Sequence, residues 1–466
     1  MNPLRGVRRL ADRTPASRER FIDLLRAIAI VAVVLGHWLV TVVEYQNGEL
    51  TGRSALPDLR WAHPITWVVQ VMPIFFLVGG YANAASLSSH YRKGWRAGDW
   101  LVHRAARLVR PCTALIITLA ALAGFARLWE PPGLDPVRVR LAVWTASIPL
   151  WFLSVYLIVV ALAPLMWALH RRYGIAVPAV LLVLVMAGDL ARLYGDDRLG
   201  NGSFLFGWLG VHQIGFFWRD GRLPTRPRTL LALLLGGLAV LLVLVVPGPY
   251  PVSMINVPGE RLHNMSPPSL ALIALFTVQL AVALLVRGPA ERWLRRTGPW
   301  MAVIAVNAVA LTVFLWHMTA AILSAVILHE AGVLPTPAAG SGEWWAWRIP
   351  WLAMLTVVLA ILVAIFGPIE FAAGRRAKRR ARWMPGPLAA VLALPAPRLV
   401  LALVGFGGVA FGLLDNNLLP REEPAPLGIP TMALAGYFGG AILLRVLSAA
   451  PVAVPGTEPA GAVNVR

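Results

Sequence analysis

The stretch RFIDLLRAIAIVAVVLGHWLVTVV, residues 20–43, is apolar for most of its length and decides the fold class of the chain. A helix of about 20 apolar residues is long enough to cross a hydrocarbon core about 30 Å thick. The segment before it, residues 1–20, is rich in Arg and carries no small-residue cleavage motif. We therefore predict an uncleaved first membrane helix that follows a short basic segment in the cytoplasm.

Apolar blocks of the same length recur along the chain. The 466 residues are 58% hydrophobic and only 14% charged, which is too little charge for the surface of a soluble protein of this size. The predicted fold class is an all-α polytopic membrane helix bundle of about 12 (10–12) transmembrane helices. The predicted spans are 21–43, 65–88, 111–129, 143–168, 175–193, 203–219, 229–247, 268–286, 300–328, 349–372, 397–414 and 429–447.

The connections between the predicted spans alternate in charge. The basic ones are 89–110, 169–172, 219–228, 287–296 and 374–383, and the others are acidic or rich in Pro and Gly. Because basic connections stay on the cytoplasmic side of a membrane, this alternation predicts that both termini lie in the cytoplasm. The Trp-rich stretch EWWAWRIPW, residues 343–351, is typical of an aromatic belt at the membrane interface.

The formal net charge of +20 comes from 42 Lys and Arg against 22 Asp and Glu. In a soluble protein such an excess would suggest nucleic-acid binding, but here the inter-helix segments carry it and the positive-inside rule accounts for it. We therefore predict no nucleic-acid partner. The single cysteine, Cys112, excludes an internal disulfide and a paired-thiol metal site, and we predict no metal ligands.

Two polar side chains, which are energetically unfavourable inside a membrane, interrupt the first predicted span. Arg26 and His37 are eleven residues apart, so they project from one face of a helix, about 16 Å apart along its axis. Asp23 stands three residues before Arg26, within range of a helical ion pair. His37 is either a structural histidine bonded between helices or a general base. Arg26 either extends to the interface as an orienting residue or holds an anionic ligand group.

Five motifs, in order along the chain, resemble the acyltransferase 3 family of membrane acyltransferases. The first is the Arg–His pair of the first span, and the later ones are PIFFLVGGYANA (73–84), HRAARLVRP (103–111), LWFLSVYLIV (150–159) and VFLWHMTAA (313–321). Two positions depart from the family pattern, because Gly79 replaces a usual Ser and Phe314 replaces a usual Tyr. The last two predicted spans match nothing in the family and look like an addition.

The resemblance implies the transfer of an acyl group, acetyl or another short chain, from acyl-CoA to a hydroxyl of a carbohydrate, glycolipid or secondary metabolite. Acetyl-CoA or another acyl-CoA would be a co-substrate rather than a permanently bound cofactor. His37 would be the general base, with an acyl-His intermediate as the variant mechanism. His317 would orient His37, help stabilise the oxyanion or simply pack. Arg26, Arg104 and Arg107 would hold the phosphates of the donor.

The composition of the segments, together with the resemblance, predicts a division of the chain and a location. We predict a basic cytoplasmic segment 1–20, an acyltransferase membrane domain 21–372, a basic loop with two additional spans 373–448, and a disordered tail 449–466. The protein would be a multi-pass protein of the bacterial inner membrane, in contact with the lipid bilayer. The sequence leaves the oligomeric state open.

Two other functions fit the number of spans. A secondary transporter of the 12-span type would show similarity between its halves, and we find none between residues 1–230 and 230–466. A non-catalytic scaffold for envelope assembly would keep its function when His37 is changed.

Overall fold

Long apolar segments form helices in a membrane because no water is present to satisfy their backbone polar groups. A computed structural model of the chain describes residues 8, 11–12, 14–15, 18–46, 49–129, 135–195, 197–373 and 386–451. The predicted basic connection 374–383, much of the predicted segment 1–20 and the predicted tail from residue 452 onward lie outside the described residues.

The described helices of eight residues or more are numbered here in chain order. They are α1 Arg20–Val40, α2 Met72–Arg92, α3 Ala97–Trp129, α4 Pro136–Ala146, α5 Leu150–Tyr173, α6 Ala176–Leu193, α7 Ser203–Arg219, α8 Pro227–Val245, α9 Leu270–Trp293, α10 Thr297–Ala308, α11 Ala310–Glu330, α12 Gly342–Ala373, α13 Gly386–Ala393, α14 Pro395–Leu418 and α15 Thr431–Ala449. Shorter helical segments cover Arg60–Ile65, Thr66–Val69 and Asp197–Gly200.

Within the described ranges, eleven helical segments are long and apolar enough to cross a membrane. They coincide with eleven of the twelve predicted spans. The remaining one, 203–219, forms α7, whose 17 residues rise about 26 Å, slightly less than a hydrocarbon core of about 30 Å. The predicted all-α polytopic bundle is therefore confirmed, and the chain is a multi-pass membrane protein.

The span predicted over 300–328 consists of two helices. Helix α10 ends at Ala308 and α11 begins at Ala310, with Val309 between them outside the helical conformation. The side-chain amide of Asn307 donates a hydrogen bond to the carbonyl oxygen of Val303 at 2.9 Å and another to that of Asp23 at 2.8 Å. A side chain that competes for a carbonyl of its own helix promotes a break in that helix.

A β-hairpin follows α1 where the sequence predicts the end of a span and a connection. Its strands are β1 Thr41–Gln46 and β2 Glu49–Ser54, which pair antiparallel. The β-branched residues at 41–43 favour a strand. Arg53 bonds to Glu44 and Asp58. The hydrogen bond to Asp58 and the one to Glu44 raise the pKa of the Arg53 guanidinium.

The described chain divides into two compact units. The first comprises Met1–Ala82, Thr145–Pro149 and Leu165–Pro368. In it, α1 packs against α9, α10 and α11. The start of α1 is fixed to α9, since Arg287 donates two hydrogen bonds of 2.8 Å to the Glu19 carboxylate and the Phe21 backbone N–H donates to Glu291 at 2.9 Å.

The second unit comprises Asn83–Trp144, Leu150–Pro164 and Ile369–Arg466. In it, α14 and α15 pack against each other and against α3. Gly408 and Gly412 on α14, and Gly436 and Gly440 on α15, each form a G-x-x-x-G pair that lets helix backbones approach closely in a membrane. A side chain at Gly440 would stand 2.5 Å from the carbonyl oxygen of Gly405.

We expect Gly440→Ala to destabilise the second unit. The added Cβ would lie 2.5 Å from the Gly405 oxygen and 2.6 Å from the Val409 nitrogen, so the helices must move apart at a cost of about 1–3 kcal/mol. The measurement is the free energy of unfolding in mixed micelles. Gly439→Ala is the matched control, because its Cβ would meet no atom within 4 Å. Equal effects of the two substitutions would refute the close packing.

Candidate active site

Helix α1 carries His37 in its last turn, and α11 carries His317 opposite it. The His37 Nδ1 lies 2.7 Å from the His317 Nε2, and the two rings are nearly parallel, with an interplanar angle of 9°. His317 is fully buried, whereas His37 keeps part of its surface exposed. Of the two rings, only that of His37 is accessible from outside the protein interior.

The hydrogen bonds of this pair determine which nitrogen carries a proton. His317 Nδ1 lies 2.6 Å from the carbonyl oxygen of Phe314, and a carbonyl only accepts, so this Nδ1 carries a proton. In the neutral ring the Nε2 of His317 is then an acceptor, and the Nδ1 of His37 donates to it. The remaining nitrogen, His37 Nε2, consequently holds a free lone pair, as a base or nucleophile requires.

Two further hydrogen bonds fix the backbones that carry the pair. The Trp38 indole N–H donates to the carbonyl oxygen of His317 at 3.0 Å. The Thr41 hydroxyl donates to the carbonyl oxygen of His37 at 2.6 Å. Trp38 is also almost completely buried. The Trp38 bond therefore joins α1 to α11 where the two imidazole rings meet, and the Thr41 bond closes the last turn of α1.

Arg26 lies at the opposite end of α1 from His37. Its guanidinium is 3.4 Å from the Asp23 carboxylate, which also bonds to Arg18 at 2.7 Å. The predicted helical ion pair between Asp23 and Arg26 is therefore present. About 16 Å of helix axis separates Arg26 from His37, so the two residues share a face but not a hydrogen bond. Arg26 remains partly exposed.

Arg104 and Arg107 lie three residues apart on α3, in the second unit, and therefore on neighbouring positions of one helix face. Arg104 is half-buried and Arg107 is exposed. Across the described ranges neither contacts a carboxylate, and the buried Nε of Arg104 has no hydrogen-bond acceptor. Two adjacent guanidinium groups without acidic partners favour an anionic ligand.

Some elements of the site carry no sequence signal. The acceptor for His317 is a backbone carbonyl, so any residue at position 314 supplies it, and Phe314 in place of a usual Tyr leaves this contact intact. Trp38 is recognisable only as an apolar residue next to His37. The described residues also contain no cluster of three or more His, Cys, Asp or Glu side chains suited to a metal ion.

The proton positions of the histidine pair are testable by nuclear magnetic resonance. With ¹⁵N-labelled histidine at a pH where both rings are neutral, we expect protonated Nδ1 in both rings and a coupling across the hydrogen bond between them. His317→Ala should abolish this coupling, whereas His329→Ala, on the last turn of the same helix, should preserve it. A proton on His37 Nε2 would contradict the assignment.

Comparison with protein families gives one match. A family model described as "Acyltransferase domain", that of the acyltransferase 3 family, matches residues 19–373. No curated protein matches the chain, and no solved structure does. The matched range covers about three quarters of the sequence, includes both histidines and favours an enzyme over the transporter alternative. The chain belongs to the acyltransferase 3 family and is a membrane acyltransferase.

Proposed function

We propose that this enzyme moves an acyl group, acetyl or another short chain, from acyl-CoA to a hydroxyl of a carbohydrate, glycolipid or secondary metabolite. The observation that carries the proposal is the His37–His317 pair, whose hydrogen bonds leave a lone pair on His37 Nε2. A hydroxyl is a weak nucleophile, and a base that removes its proton contributes about 10²–10⁴-fold to the rate.

The proposed reaction uses this lone pair directly. The acceptor hydroxyl donates its proton to His37 Nε2 while its oxygen attacks the thioester carbonyl. The tetrahedral intermediate then expels the thiolate of CoA, which takes the proton from His37. The products are an ester and free CoA, and His37 returns to its starting state. In the variant route, His37 Nε2 attacks the thioester carbonyl and CoA leaves as the thiolate, which gives an acyl-imidazolium. The acceptor oxygen then takes the acyl group from His37, and its hydroxyl proton passes to the CoA thiolate.

His317 is a positioning residue in this mechanism. Its Nε2 accepts a hydrogen bond from the Nδ1–H of His37, which favours the tautomer of His37 with an unprotonated Nε2. When His37 gains a proton, the positive charge would be costly in an apolar membrane domain. The hydrogen bonds to His317 and from His317 to the Phe314 carbonyl spread that charge over two rings and one carbonyl oxygen.

The donor would be bound from the cytoplasmic side, where CoA is found. Arg104 and Arg107 offer two guanidinium groups free of carboxylate partners within the described chain, and Arg pairs bidentately with phosphate. Arg26, held by Asp23, would add positive charge on the same side. This arrangement requires the orientation predicted from the basic connections, with both termini in the cytoplasm, and we propose the bacterial inner membrane as the location.

His37→Ala should remove transfer while the protein stays folded in the membrane. We expect a loss of about 10²–10⁴-fold, because the acceptor hydroxyl would lack its base. The measurement is mass spectrometry of lipids and polysaccharides from a deletion strain complemented with each variant, in which the increment of one acyl group disappears. His329→Ala is the control, and transfer at the wild-type level by His37→Ala would refute the proposal.

Variants of His317 test its positioning role in the same experiment. His317→Gln keeps an oxygen that can accept the proton on His37 Nδ1, whereas His317→Phe keeps a ring and removes the acceptor. We expect the amount of product to fall in the order wild type, His317→Gln, His317→Phe. An equal loss in both variants would indicate that His317 only packs.

The donor site is tested by varying the donor as well as the enzyme. The double variant Arg104→Ala, Arg107→Ala should raise the KM for acetyl-CoA by about tenfold or more, because charge-assisted hydrogen bonds to phosphate are lost. The KM for S-acetylpantetheine, which lacks those phosphates, should not change. Arg127→Ala, near the other end of α3, is the control. Unchanged KM for acetyl-CoA would remove the phosphate role.

A further inference from the structure

Helices α14 and α15 lie beyond the family match, and both pack against α3, the helix that carries Arg104 and Arg107. Their polar contacts lie on either side of the two arginines along α3. One is an ion pair at Asp99, five residues before Arg104, and the other is a set of hydrogen bonds that begins at Val109, two residues after Arg107. All of these residues belong to the second unit. The two arginines therefore lie between two anchor contacts, the ion pair and this set of hydrogen bonds.

The first anchor contact fixes the start of α3. The Nε of Arg398 on α14 lies 2.7 Å from Oδ1 of Asp99, and both side chains are buried. The backbone N–H of Arg96 donates to the other carboxylate oxygen of Asp99 at 3.1 Å. The backbones also approach closely, because a Cβ added at Gly98 would stand 3.0 Å from the nitrogen of Leu399. Separating a buried ion pair leaves an uncompensated charge, so this contact opposes movement of α3 against α14.

The second anchor contact lies where α3 lacks one of its main-chain hydrogen bonds. Pro111 has no N–H to donate to the carbonyl oxygen of Arg107, and a proline inside a helix commonly bends it. Across this position, the Thr113 hydroxyl donates to the carbonyl oxygen of Val109 at 2.8 Å. The buried hydroxyl of Tyr437 on α15 lies 3.1 Å from the same carbonyl oxygen and 2.9 Å from the Thr113 hydroxyl. Tyr437 therefore supports α3 on both sides of the proline.

The anchor contacts and the arginines lie on different faces of α3. At about 100° per residue, Asp99, Val109 and Thr113 fall within about 80° of one another around the helix axis. Arg104 and Arg107 project about 150° away from the middle of that face. Helices α14 and α15 therefore hold α3 by one face, and the two guanidinium groups project from nearly the opposite one.

We infer that α14 and α15 position Arg104 and Arg107 for the phosphates of the acyl donor, with Arg398 and Tyr437 as positioning residues. Both residues act through the backbone of α3 and not by contact with the donor. This inference rests on the proposed function and deepens it by giving a role to the helices outside the family match. Arg binds phosphate through a planar fork of N–H groups, which demands a fixed direction. A tilt or bend of α3 between its anchor contacts would therefore weaken donor binding.

The tyrosine is tested by measuring the binding of CoA, and of pantetheine, which lacks the phosphates, to the full chain in nanodiscs by calorimetry. Tyr437→Phe removes only the hydroxyl. We expect it to raise the Kd for CoA about three- to tenfold and to leave the Kd for pantetheine unchanged. Tyr250→Phe is the matched control, because its buried hydroxyl bonds to Asp189 at 2.8 Å in the first unit. Unchanged CoA binding by Tyr437→Phe, or an equal loss of both ligands, would overturn the inference.

The ion pair is tested by a conservative and a disruptive replacement. Arg398→Gln should raise the Kd for CoA about three- to tenfold, and Arg398→Lys, which keeps a charge beside Asp99, should restore part of the affinity. Arg192→Gln is the control, because Arg192 also forms a buried pair, with Asp189 at 3.2 Å in the first unit. If Arg398→Gln does not fold, Tyr437→Phe decides the question. Wild-type affinity for CoA in a folded Arg398→Gln would refute the role of the ion pair.

The double variant Arg104→Ala, Arg107→Ala separates failure of this inference from failure of the proposed function. In that background Tyr437→Phe should cause no further loss of CoA binding, because it acts through the two arginines, and a further loss would overturn the inference. If the double variant binds CoA as the wild type does, the phosphate role is wrong and the inference falls with it. If it loses CoA while Tyr437→Phe binds normally, the positioning role is wrong and the donor site stands.

Discussion

The hydrogen bond from His37 Nδ1 to His317 Nε2 joins two residues that are 280 positions apart in the chain. If α1 and α11 slid or rotated against each other, this hydrogen bond would break. A polar nitrogen would then be left unpaired among apolar side chains. The hydrogen bond from the Trp38 indole to the His317 carbonyl oxygen joins the same two helices. Packing in this part of the first unit therefore fixes the hydrogen-bond partners of the two rings and leaves His37 Nε2 outside the pair.

Much of the fold follows from the sequence, since length and hydropathy alone decide where a helix can cross a membrane. Eleven of the twelve predicted spans form helices of sufficient length. Two departures from the predicted helices have local causes. The hairpin after α1 begins with three β-branched residues, which are equally compatible with the end of an apolar span. The break near Val309 depends on a side-chain hydrogen bond from Asn307.

Only part of the candidate site can be predicted from the sequence. Helical periodicity places Arg26 and His37 on one face, and the ordered motifs point to His317. The pairing of the two histidines is a tertiary contact, and the proton assignment depends on a main-chain carbonyl that no residue identity reveals.

The last two long helices, α14 and α15, begin beyond residue 373, where the family match ends. They nevertheless hold polar groups of α3, since Arg398 pairs with Asp99 at 2.7 Å and the Tyr437 hydroxyl lies 2.9 Å from that of Thr113. Without these helices, a buried carboxylate and a hydroxyl on the helix that carries Arg104 and Arg107 would lose these partners. The two helices beyond the family match therefore support the helix of the matched domain that carries Arg104 and Arg107.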